Sequence, residues 1–214
     1  MPTAIKPALQ PRKTPVQVRS AVTVDAILEA TIQVLIAVGK ERLTTTHAAL
    51  RAGVSVGTLY QYYPNKSALL QACLRRHMGE MSRAVEDVCE KYRSAGLIEM
   101  GTALIHAYLN AKMSNVKAST ALYAVSSDIE GLEISKAVAD RLLRRVAALF
   151  ETAKEGLTKD PELVASVVLA ALNGVGRRVL EAKSPERVVE PLREELIVLV
   201  HGYLSSCAAR PLAG

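Results

Sequence analysis

From Thr23 onward the apolar positions return at helical rather than strand spacing. Ile27, Ala30, Val34, Leu35 and Val38 form one stripe, which predicts an amphipathic helix, and Gly39 follows it where a C-terminal glycine stop belongs. Thr44, Thr45 and Thr46 offer N-cap oxygens to a second, short helix through about Ala52, with Gly53 after it. Ser55 can cap a third that runs to about Tyr62, Pro64 ends it, and Asn65 can cap the next. Leu69, Leu70, Cys73, Leu74, His77, Met78, Met81, Val85 and Val88 then continue at helical spacing as a long fourth helix. Gly96 separates it from a fifth through about Met113, and two or three further helices fill 118–156.

The stretch DPELVASVVLAALNGVGRRVL opens with Asp160 at an N-cap, Pro161 at the first helical position and Glu162 beside it. A proline in a helix interior removes a hydrogen bond, so the last helix is expected to begin near Glu190 and Pro191, with 184–189 as an entry turn. There is no period-2 run and no repeat of about 20–50 residues. The predicted fold class is all-α.

Composition sharpens this reading in three places. Residues 1–20 hold four prolines, four basic side chains and no acid, and read as a flexible arm. Residues 1–67 carry eight basic against three acidic side chains, a balance of +5, whereas the remainder carries nineteen against eighteen. The excess charge is thus confined to the first third, which favours a polyanionic partner there. Cys73, Cys89 and Cys207 are too few and too irregular for a disulfide framework or a zinc motif. The apolar stretches, such as 163–172, read as too short to span a bilayer, and the N-terminus lacks the apolar core of a secretory signal. A cytoplasmic protein is expected, with no membrane partner and no cofactor.

Helix, glycine-ended turn and second short helix is the helix-turn-helix arrangement. The segment LTTTHAALRAGVSVGTLYQYYPNKSALL closely resembles the DNA-binding signature of the TetR family of transcriptional regulators. Threonine cap, AGVS turn, GTLY, aromatic pair, proline and lysine occur in the family's order. The resemblance is detailed over roughly residues 21–81 and architectural beyond. It implies a basic arm at 1–20, a three-helix DNA-binding domain at 21–81 with its helix-turn-helix at about 44–63, and a larger helical regulatory and dimerisation domain at 82–214.

In the resembling fold Ala52, Val54, Leu59 and Tyr63 face the small domain's core, in keeping with the four-residue spacing of Leu59 and Tyr63. Ser55, Val56, Gly57, Thr58, Gln61 and Tyr62 are left for a major groove of double-stranded DNA. Tyr60 and Tyr62 can set a ring against the helix pair and a hydroxyl toward phosphate, as can the hydroxyls of Thr45 and Thr46. Lys66 adds charge beside a helix N-terminus. The recognition helix has no Arg or Lys, so base reading falls to Gln61 toward adenine and to Thr58 and Val56 toward thymine methyls. A·T positions in a palindromic operator are therefore expected to matter. His47 and Leu50 depart from the family pattern, where charged side chains are usual. Arg12, Lys13 and Arg19 either enter a neighbouring minor groove or add nonspecific attraction.

The resemblance also implies a homodimer through the last two helices. Val164, Val167, Val168, Ala171, Leu172, Val175 and Val179 form a broad apolar face, and Ile197, Val200 and Leu204 a stripe on the last helix, which supports that seam; the alternative is that these faces belong to a protomer's core. The family's small-molecule inducer lies among the middle helices and shifts the long fourth helix. Candidate contacts here are Met78, Met81, Met100, His106, Tyr108, Met113, Tyr123, Phe150 and Asn173, with methionines suited to an adaptable apolar pocket. The enzyme reading is weak. Cys73 and His77 lie one helical turn apart but have no further ligands nearby, and Gly53 and Gly57 lack the strand and GK[ST] of a phosphate loop. The expected function is a DNA-binding repressor released by a ligand; an activator, or a ligand-binding helical protein without DNA recognition, are the alternatives.

Overall fold

The structure, a computed structural model, describes residues 18–126 and 129–210. The arm with Arg12 and Lys13, and the side chain of Arg19, lie outside the described residues. Among those described the order is α1 (Val18–Arg42), α2 (Thr45–Ala52), α3 (Val56–Tyr62), α4 (Lys66–Lys91), α5 (Leu97–Met113), α6 (Val116–Ser126), α7 (Ile129–Phe150), α8 (Pro161–Leu180) and α9 (Pro185–Cys207). The only extended pairing among them is an isolated bridge between Leu157 and Ala208.

Local chemistry sets most of these bounds. Thr44 caps α2 by accepting from the His47 N–H, Ser55 caps α3 from Thr58, and Asp160 caps α8 from Leu163. The Asn65 side chain accepts from the Ala68 N–H at the start of α4. Gly53 closes α2 at φ 69°, a left-handed conformation that costs glycine nothing. Two bounds differ from expectation. Helix α1 begins at Val18, inside the stretch read as a flexible arm, and its backbone breaks at Gly39 before a last turn to Arg42. Helix α9 begins at Pro185 rather than near Glu190, so 184–189 is not an entry turn and Pro191 sits inside the helix. Pro191 is exposed, as is Arg187, whose carbonyl the missing N–H would have engaged; solvent is at hand to replace that bond.

The chain forms two compact units. The first comprises the residues up to His77 together with Ala121–Ile134, and the second comprises Met78–Thr120 and the residues from Ser135 on. Helix α4 supplies residues to both. In the first unit Ile27, Leu28, Leu35, Leu43, Ala48, Ala49, Leu59, Tyr63, Leu69 and Leu74 are buried. The second unit has a continuous core that takes in Leu97, Met100, Leu104, Ile105, Phe150, Val164, Val168, Leu172, Leu196, Val200 and Leu204. Its central seam is the packing of α5 and α8 on α9.

Two helical stretches, Ser20–Arg42 and Pro161–Leu180, are long and apolar enough by composition to cross a membrane. This corrects the reading that every apolar stretch is too short. In this fold Ile27, Leu28, Ile32 and Leu35 of one, and Val164, Val168 and Leu172 of the other, are spent in the two cores.

Candidate nucleic-acid interface

The first unit holds α3 between two supports. Leu59 is fully buried and Tyr63 nearly so, and burial pushes the Tyr63 phenol up to about 12, so it packs as a neutral ring. Ala52 and Val54, expected in the core, are half-buried. The opposite face carries exposed Ser55, Gly57, Tyr60 and Gln61 and half-buried Val56, Thr58 and Tyr62. A Cβ added at Gly57 would meet only Ser55 Oγ, at 3.7 Å, so the chain's own packing does not demand glycine there. The Ser55 and Thr58 hydroxyls lie 2.8 Å apart, which ties the first turn's polar groups together.

Two tyrosine hydroxyls connect elements. Tyr60 lies 3.0 Å from Thr45 Oγ1, joining α3 to the start of α2, and Tyr62 lies 3.2 Å from Ser20 Oγ of α1. Thr46 and Leu50 are exposed on α2, Leu50 at 80%. Lys66 donates to the Glu41 carbonyl at 3.3 Å, so its ammonium sits over the end of α1. Arg51 donates to Gln33 at 2.8 Å and fixes α2 against α1. The one-turn pair Cys73 and His77 is not poised for metal or nucleophilic work. The Cys73 thiol is fully buried, donates to the Leu28 carbonyl at 3.7 Å, and is pushed up to about 12 by burial.

The nine residues proposed for a ligand fall in different surroundings, eight of them in the second unit. Met100 and Phe150 are fully enclosed in the core, Met81 packs against it, and the Met78 sulfur accepts from Ser135 at 3.7 Å. Met113 is half-buried, and half-buried Tyr123 clusters with the first unit instead. His106 is exposed and accepts at Nδ1 from Nη1 of buried Arg193, at 2.9 Å; Arg193 also donates to Asn110 and Glu190. The His106 ring borders an open groove of about 530 Å³ between α4 and α5, lined also by Asp87, Lys91, Tyr92, Glu99 and Thr102. Tyr108 and Asn173 do meet: the phenol donates to Asn173 Oδ1 at 2.6 Å.

The dimer residues divide in the same way. Val164, Val168, Leu172, Val179, Val200 and Leu204 are at most 2% exposed inside the protomer, and Ala171, Val175 and Ile197 are half-buried. Val167 is 41% exposed, and Leu163, Val198 and Leu199 are exposed by 53–68%. Sequence periodicity missed these last three, because the runs LVASVVLAAL of α8 and LIVLV of α9 are apolar at nearly every position and only packing tells inner from outer.

A basic three-helix unit that holds an uncharged polar helix on a glycine-ended turn, followed by a larger helical unit, defines a helix-turn-helix transcriptional regulator. Residues 27–73 match the profile of bacterial regulatory proteins of the tetR family, and residues 97–204 match the tetracyclin repressor-like C-terminal domain. The chain belongs to the TetR family of DNA-binding, ligand-responsive regulators. No curated protein matches it significantly. Solved structures share its fold. A protein described as a TetR-family transcriptional regulator from Mesorhizobium loti is 20% identical, with 90% of this chain and 100% of that one covered at a TM-score of 0.70. SmeT, the repressor of the Stenotrophomonas maltophilia multidrug efflux pump SmeDEF, is 19% identical over the same shares, at 0.67. A TetR-like regulator from Rhodococcus sp. RHA1 is 22% identical, with 90% and 99% covered, at 0.64.

Proposed function

We propose that the chain is a cytoplasmic homodimeric repressor that binds a palindromic, A·T-containing operator and leaves it when a small molecule occupies the second unit. The observation that carries this reading is the face of α3 turned from the core, with Ser55, Gly57 and Gln61 exposed, Thr58 half-buried and exposed Tyr60 braced on Thr45. Gln61 reads adenine, Thr58 and Val56 touch thymine methyls, and Tyr60, Tyr62, Thr45, Thr46 and Lys66 contact phosphates. A seven-residue helix offers too little surface for specific binding alone, and a dimer sets two copies about 34–36 Å apart.

The exposed apolar strip of Leu163 and Val167 on α8 with Val198 and Leu199 on α9 supports a dimer seam there. Gly174 and Gly202 are exposed, and a Cβ added at either meets nothing, which suits close helix approach by a second copy. An effector that prefers the off-DNA conformation lowers operator affinity by its differential binding, read through α4, which supplies residues to both units. SmeT, which shares the fold, is a repressor, and it has been solved as a complex with triclosan.

Selection of genomic fragments by the purified protein at about 0.15 M salt, where loose phosphate binding is weakened, tests the reading. An enriched palindrome with A·T positions upholds it, and repression or activation of the adjoining gene then gives the sign. Enrichment of nothing, by protein first unfolded and refolded to free it of any carried ligand, favours a sensor that does not read DNA.

A further inference from the structure

Lys112, near the C-terminal end of α5, lies with its stem across Gly176 of α8 and its ammonium 5.0 Å from the centre of the Tyr108 ring. A Cβ added at Gly176 would stand 2.6 Å from Lys112 Cε and 2.8 Å from Tyr108 Cε1, so the missing side chain makes the room that both occupy. No carboxylate among the described residues forms an ion pair with Lys112. Burial alone holds the amine down at about 8. Next to it, the Tyr108 phenol is spent on Asn173 Oδ1, which orients that amide and leaves its N–H groups pointing away from the tyrosine.

Folding does not call for this arrangement. A half-buried cation whose favourable contact is one ring face destabilises the protomer, and a methionine would fill the same space without a charge. Buried polar groups left without full compensation mark places where something else completes them. The missing element is a single negative charge with hydrogen-bond acceptors, placed against an aromatic wall.

We propose that Lys112, Tyr108 and Asn173 form the recognition site for the acid group of the effector, and that the effector is an apolar molecule ending in one carboxylate. The Lys112 ammonium supplies the charge, the Asn173 amide a second donor, and the Tyr108 ring the wall along which the apolar body enters. This inference rests on the effector reading of the second unit. A competing source of the charge, a glutamate from a second copy of the chain, shares the chemistry and is separated by the test.

The test uses full-length protein in calorimetric titration with decanoate and with decan-1-ol, which share a tail and differ in the head group. Wild type is expected to prefer decanoate by about tenfold or more. Lys112→Met should bind both probes alike, and Asn173→Asp, which puts a carboxylate where the amide meets the Tyr108 hydroxyl and removes the amide donor, should lose about tenfold in decanoate affinity. Equal binding of the two probes by wild type, binding of neither, or unchanged decanoate binding by either variant overturns the proposal. So does a Lys112→Met protein whose change lies in the monomer–dimer balance, since the charge then comes from the second copy. Operator binding by ligand-free wild type and Lys112→Met is measured alongside. If both bind DNA while decanoate discrimination is absent, only this inference fails; if neither binds, the regulator reading fails with it.

Discussion

The hydroxyls of Thr45 and Tyr60 lie 3.0 Å apart, so the first residue of α2 braces the exposed tyrosine of α3. Both side chains are polar at the surface that we assign to DNA. Tyr60→Phe removes the brace and one phosphate partner while keeping the ring. It is expected to weaken binding to all sequences by roughly 0.5–1.5 kcal/mol, the usual net worth of one hydrogen bond. Titration against the operator and against unrelated DNA measures it; a loss confined to the operator would assign Tyr60 to base reading instead.

Gln61 and Lys66 separate specificity from attraction. Gln61→Ala should cost about 1–3 kcal/mol at one half-site position and relax the base preference there. Lys66→Ala should weaken every sequence alike and reduce the salt slope by about 1. Because Lys66 also donates to the Glu41 carbonyl, a melting curve of each variant is recorded beside the binding isotherms. A Lys66→Ala protein that melts early with an unaltered salt slope would make the lysine a cap on α1 rather than a phosphate contact.

For the dimer, burial reverses the natural choice of mutation. Val168 is 1% exposed, so Val168→Glu buries an unpaired charge in the protomer's own core and should unfold the second unit. Val198 is 68% exposed, and Val198→Glu should give a folded monomer in sedimentation with normal helical circular dichroism. A Val198→Glu protein that remains dimeric would move the seam off α9.

Lys112 predicts a pH dependence whose sign can be worked out. Its folded-state value of about 8 lies below the ordinary 10.5, so between these values the unfolded chain binds more protons and stability rises with pH. The contribution is fully present above about 10.5 and lost as pH falls through about 8. Lys112→Met should therefore raise stability at pH 7 by about 1–3 kcal/mol, with the gain vanishing above pH 10.5. Urea midpoints of wild type and variant at pH 7 and pH 10 check this; a variant less stable than wild type at pH 7 would mean that the ammonium has a partner after all.

Reading the chain alone went furthest where structure is local. Thr44, Ser55, Asn65 and Asp160 cap their helices through atoms three residues away, and Gly53 turns the chain by its own backbone freedom. Those short-range bonds are why the two short helices and the glycine-ended turn between them were legible in sequence, while the inward Leu59 and Tyr63 followed from the family resemblance and their four-residue spacing. The N-terminus of α9 was not, because propensity penalises Pro191 while the tertiary fold leaves it at the solvent face.

Tertiary structure alone decided everything that depends on which apolar side faces in. The runs LVASVVLAAL of α8 and LIVLV of α9 put apolar side chains on more than one side, so the dimer face expected from the family resemblance took in Val164, Val168, Val200 and Leu204, whereas all four are at most 2% exposed within the protomer. Packing also drew Ala121–Ile134 into the first unit, across the linear boundary expected near residue 81. Tyr108 and Lys112 share a helix face four residues apart, a spacing visible in the sequence. That Gly176, sixty-four residues on, opens the space beneath them, and that no carboxylate among the described residues pairs with Lys112, is set by the way α5 lies on α8. Caps and turns are local bonds that a sequence carries in order, whereas burial and charge compensation are sums over neighbours that only the folded chain brings together.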